Sequence, residues 1–94
     1  MKKKELTINN KYGLHSRPAS ELVKTASKYD SDIKLLYNGQ EANAKSILGI
    51  MVLAVEPGAK VQVSADGQDE EEALQAIEEL ISHKFYVEYK DENN

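Results

Sequence analysis

The stretch Asp32–Lys45, DIKLLYNGQEANAK, decides the architecture. Two strand-like runs flank Asn38-Gly39, the dipeptide best suited to a two-residue hairpin turn, so an antiparallel pair is expected here. Upstream, KELTIN at 4–9 alternates Leu6 and Ile8 with polar neighbours, the period of a half-buried strand. Asn9, Asn10 and Gly13 then mark a loop. From Pro18, the apolar residues Ala19, Leu22, Val23 and Ala26 form one stripe of an amphipathic helix running to about Lys28. Downstream, ILGIMVLAV at 47–55 has a length that suits either a buried strand or a short helix. Ser46 is a natural N-cap and Pro57-Gly58 closes the run, which favours the helix. AKVQVSADG at 59–67 alternates Val61, Val63 and Ala65 as a further strand. QDEEEALQAIEELISHK at 68–84 turns Ala73, Leu74, Ile77, Leu80 and Ile81 to one face, with acids in its first turn where the helix dipole favours them. The order implies an α+β domain: a four-stranded, largely antiparallel sheet with its helices on one face.

Ninety-four residues suffice for one domain, 1–94, with a core at about 4–85 and a tail at 86–94. The segment FYVEYKDENN at 85–94 either packs back or frays. At 40% hydrophobic and 30% charged residues the chain has the composition of a soluble globular protein, and no apolar run is long enough to span a bilayer. MKKK is followed by ELTINNKYG rather than a secretory hydrophobic stretch, so a cytoplasmic location without membrane insertion is expected. The absence of cysteine excludes disulfides and thiolate metal sites, and two distant histidines make no zinc pattern, so no metal or cofactor is expected. A net charge of -4 argues against direct nucleic-acid binding. Positive charge is nonetheless concentrated at Lys11, Arg17, Lys24 and Lys28, around one segment, while Asp69, Glu70, Glu71 and Glu72 lie far along the chain.

That segment, YGLHSRPAS at 12–20, places His15, Ser16, Arg17 and Pro18 at the entrance to the first helix. Leading helical N–H groups lack intrahelical acceptors and, with the dipole, welcome an anion; Arg17 can add a charge-assisted bond to phosphate oxygens. The same positive end disfavours an imidazolium, leaving His15 a nitrogen lone pair for nucleophilic attack. Pro18 has the φ of a first helical residue and biases Arg17 away from helical torsions; Ser16 and Arg17 both remain candidates for the cap. Each residue alone is also an ordinary surface residue, and local physics supports no more than a phosphate site. If 47–55 is a helix it is apolar all round, so Ile47, Leu48 and Met51 would form an exposed docking patch; the alternative is a core element. Ser46 as a plain cap is compatible with its accepting a phosphate, since the added charge would meet open N–H donors. His83, near the end of the last helix, carries no assigned role.

GLHSRPAS and KSILGIMVL, roughly thirty residues apart, resemble the two signature segments of the HPr family, the histidine-containing phosphocarriers of the bacterial phosphoenolpyruvate-dependent sugar phosphotransferase system. The resemblance covers about Glu5 to Phe85. It implies a βαββαβα open-faced β-sandwich with three helices on one face. It further implies a carrier rather than an enzyme: Enzyme I phosphorylates Nδ1 of His15, which passes the group to sugar-specific IIA domains. Arg17 matches the residue that steadies the phosphoryl group, Pro18 the residue that opens the helix, and Ser16 supplies a backbone N–H. Ser46 matches the serine modified by HPr kinase/phosphorylase, and Ile47, Leu48 and Met51, with Lys24, match the partner-binding surface. In some relatives the Ser46 phosphoform binds a catabolite control transcription factor. Ser16 departs from the usual alanine or threonine, and the tail is longer than typical. The main alternative is a regulatory HPr-like module acting through Ser46 in an incomplete phosphotransferase system. An enzyme using His15 as general base would need a companion acid, which the sequence does not supply.

Overall fold

The computed structural model describes residues 1–10 and 13–84; Lys11, Tyr12, the side chains of His83 and Lys84 and the tail from Phe85 lie outside the described residues. The elements in chain order are β1 (Lys2–Thr7), α1 (Ser16–Ala26), β2 (Asp32–Tyr37), β3 (Gln40–Asn43), α2 (Ile47–Val52), β4 (Lys60–Asp66) and α3 (Glu70–Glu79), which a π-helical turn, Leu80–Lys84, continues. The four strands form one sheet in the order β1-β4-β2-β3, with antiparallel pairing throughout.

The Asn38-Gly39 hairpin forms as expected. Tyr37 pairs with Gln40, and the two turn residues take φ 56 and 79, the left-handed pair that matches the twist of a two-residue turn. Alternation then sorts the sheet. Leu6, Ile33, Leu35, Ala42, Val61, Val63 and Ala65 are buried on one face, against Ala19, Leu22 and Ala26 of α1 and Ala73, Leu74 and Ile77 of α3. Full burial of one such aliphatic side chain is worth about 1.5–3 kcal/mol, so this face supplies most of the driving force. The opposite face carries Lys34, Leu36, Gln62 and Ser64, and among the described residues no helix lies over it. The result is the open-faced sandwich.

Element boundaries differ from the periodicity at the ends. β1 begins at Lys2 and stops at Thr7, yet Ile8 remains fully buried: its N–H donates to the Ala59 carbonyl at 2.8 Å, and its own carbonyl accepts from Gly58 N at 2.6 Å. α1 ends at Ala26 rather than near Lys28, with Ser27 as its C-cap.

A side-chain clasp joins the α1–β2 loop to the start of α3. Asp69 accepts from the Asp30 N–H at 2.8 Å, from the Ser31 N–H at 3.0 Å and from the Ser31 hydroxyl. These donors, the Ser31 hydroxyl first and the Asp30 N–H next, hold the Asp69 carboxyl below the usual carboxylate range. Gly67 is the neighbour that makes room, since a Cβ there would lie 2.6 Å from Ser31 Oγ. Glu70, Glu71 and Glu72 occupy the first turn of α3, where the dipole favours them.

Candidate functional site

The segment that carries His15 is fastened to the chain between α2 and β4. Asn10 and Gly13 close a turn, the Gly13 N–H donating to the Asn10 carbonyl at 3.2 Å and Asn10 Nδ2 donating to the Gly13 carbonyl. Leu14 N–H then donates to the Val55 carbonyl at 3.1 Å. Gly13 has φ 70, and a Cβ at this position would lie 2.1 Å from the Val55 oxygen, so only glycine fits between these two backbones. Leu14 is buried beneath.

His15 is itself the N-cap of α1, at φ -81 and ψ -170, and its carbonyl accepts from Ala19 N–H at 3.0 Å. This corrects the expected helix start. Ser16 and Arg17, the two candidates for the cap, are instead the first and second helical residues, and Pro18 is the third rather than the first. Arg17 therefore takes helical torsions despite the bias of the following proline. Pro18 is fully buried, so its ring is also a packing residue, and its missing N–H falls within the turn that has no intrahelical acceptor.

The first-turn donors are then the N–H groups of Ser16 and Arg17, at the end from which the His15 side chain departs. His15 is half-buried, while Ser16 and Arg17 are exposed. The imidazole makes no cap bond to its own helix. An anion attached to it would meet backbone donors, the positive end of an 11-residue helix and a guanidinium two residues away.

Ser46 is the N-cap of α2, its hydroxyl accepting from Gly49 N–H at 3.0 Å. Of the six α2 residues only Ile50 is buried; Leu48 is 76% exposed, and Ile47 and Met51 are exposed as expected. Val52, which the motif comparison did not single out, is 73% exposed and extends the same apolar patch. The signal was present in the all-round hydrophobicity of the run, which does not say which residue faces the core. α2 packs against α1, and its C-terminal end leads into Val55, which holds Leu14. At 1.5 Å per residue, Ser46 stands ~9 Å along the helix from that end, with the exposed apolar residues of α2 between them. Lys24 is exposed on α1 with Glu21 at 3.5 Å, and Lys28 is exposed just beyond the helix. Lys11 lies outside the described residues. Among the described residues no helix is long and apolar enough to cross a membrane.

Comparison with known proteins decides what this arrangement belongs to. A family model for the PTS HPr component phosphorylation site matches residues 2–83. The chain belongs to the HPr family. Phosphocarrier protein HPr of Xylella fastidiosa strain Temecula1 is 48% identical over 81 residues, spanning 86% of this chain and 91% of the relative. A crystal structure of HPr-C-His from Thermoanaerobacter tengcongensis superposes with a TM-score of 0.87 at 50% identity, covering 90% of this chain and 96% of the other. The Bacillus subtilis catabolite-repression protein Crh, a swapped dimer, gives a TM-score of 0.72 at 38% identity, with coverage of 89% and 97%. Membership makes the chain a phosphocarrier of the phosphotransferase system, not a catalytic enzyme.

Proposed function

We propose that His15 is the phosphoryl acceptor, receiving the group on Nδ1 from phosphorylated Enzyme I and yielding it to sugar-specific IIA domains in the cytoplasm. The lone pair of Nδ1 attacks phosphorus as the bond to the donor breaks, its electron pair remaining with the donor. Reversal against a IIA acceptor returns the imidazole unchanged. The observation that carries this reading is the place of His15: cap residue of α1, with its imidazole unused in capping and Arg17 exposed in the first turn. The helix start and guanidinium stabilise the charge that arrives with the phosphoryl group. Ile47, Leu48, Met51 and Val52 supply the apolar docking surface, and Lys24 its basic rim.

Ser46 is the regulatory position, modified from ATP by an HPr kinase/phosphorylase. Phosphate there adds charge at one edge of the apolar patch and weakens docking of Enzyme I. A second reading makes regulation the main task, acting on a catabolite control transcription factor. The half-buried Ser46 beside an exposed apolar patch and the likeness to Crh favour it; retention of His15 favours the carrier.

Incubation with Enzyme I and labelled phosphoenolpyruvate separates the two. Acid-labile label that disappears in His15→Ala supports the carrier, and label persisting in that variant refutes it. Incubation with ATP and the kinase should give acid-stable label that is lost in Ser46→Ala.

A further inference from the structure

Asn10 is 4% exposed, and it is one of two buried polar residues among those described. Its Nδ2 donates to the Gly13 carbonyl, while its Oδ1, equally buried, has no hydrogen-bond partner among the described residues. The peptide plane between Gly13 and Leu14 is consequently held from both edges. Its carbonyl accepts from Asn10 and its N–H donates to the Val55 carbonyl at 3.1 Å. Only buried Leu14 separates this plane from His15. An amide with one unsatisfied atom is a poor choice for stability alone, because a buried acceptor without a partner carries its full desolvation penalty. An apolar side chain would avoid that penalty and would release the plane.

We infer that Asn10 is a positioning residue for phosphoryl transfer, acting on His15 through the Gly13–Leu14 peptide; the inference rests on His15 being the acceptor. The Val55 bond alone fixes the plane along one edge and leaves it free to tilt about that edge. With Asn10 in place the tilt is closed off, and the His15 backbone enters α1 from one direction. In-line attack on phosphorus is sensitive to such direction, since misplacement by about 1 Å can cost 10²-fold in rate. The docking patch lies on α2, whereas the side-chain bond of Asn10 goes to Gly13, so the effect falls on turnover and not on partner binding.

The test is the steady-state rate at which Enzyme I and phosphoenolpyruvate phosphorylate the full chain, for the native sequence, Asn10→Ala and His15→Ala. Asn10→Ala should lower kcat by about tenfold or more with KM for the chain unchanged. Equal kcat, or a loss confined to KM, overturns the inference while leaving His15 as acceptor. No label on the native chain sinks the acceptor reading and this inference with it. Should Asn10→Ala fail to fold, scalar coupling across the hydrogen bond between Asn10 Nδ2 and the Gly13 carbonyl carbon decides in the native chain: its presence supports the clamp and its absence overturns it.

Discussion

Ala54 sits at φ 52, a left-handed torsion that an L-residue with a Cβ adopts at a cost of roughly 1–2 kcal/mol. Glycine removes that cost and loses about 0.5–1 kcal/mol through the greater freedom of the unfolded chain. Ala54→Gly is therefore expected to stabilise the fold by up to ~1 kcal/mol, read as a higher urea midpoint at unchanged slope. Gly13→Ala should do the opposite. The added methyl would meet the Val55 carbonyl, so the His15 segment must lift away, costing at least ~2 kcal/mol and slowing phosphoryl uptake. The sequence showed Gly13 as part of a loop. It could not show the close approach to Val55, because that requires two segments distant along the chain to be placed side by side. The Asp69–Ser31 clasp was hidden for the same reason, since its partners lie 38 residues apart; the bond of Asn10 is local, to the Gly13 carbonyl three residues on, and what the sequence did not show is the burial of that side chain, which the tertiary fold sets.

Among the elements, α2 has the most divided task. Its cap is structural, so Ser46→Ala should cost about 1 kcal/mol by removing the acceptor for Gly49 N–H. Its exposed face is not. Leu48→Ala should stay within about 0.5 kcal/mol of the native stability and yet raise KM in the Enzyme I reaction, because a 76% exposed side chain contributes little until a partner covers it. The cap of α2 was readable because Ser46 precedes an apolar run that ends at Pro57-Gly58. The start of α1 was not. Proline is favoured at the first helical position, and that preference pointed to Ser16 or Arg17 as cap; here Pro18 is buried in the core as the third helical residue, and the helix reaches back to His15. Packing of one ring thus outweighed a local preference, with the consequence that the functional residue is the cap.

At the scale of the molecule, the α+β sandwich was legible because period-two runs, two amphipathic helices and one Asn-Gly turn all point to the same layered arrangement. What joins the layers is less regular, and the Asp69 clasp offers a pH test of it. The folded state holds the Asp69 carboxyl below its unfolded value, chiefly through the Ser31 hydroxyl and the Asp30 N–H. Its contribution is thus complete above the unfolded value of about 3.9 and is lost as pH falls through the depressed folded value. Asp69→Asn should be less stable than the native chain at neutral pH, and the gap should close in acid below that range, as urea unfolding at the two conditions will show. The central claim is the identity of the phosphoryl acceptor, and the most direct measurement is phosphorus and nitrogen NMR on chain labelled at histidine nitrogen and charged by Enzyme I. A phosphorus-to-nitrogen coupling to Nδ1 of His15 is the expected result; phosphate coupled to Nε2, carried by His83 or found on a serine under these conditions would contradict it.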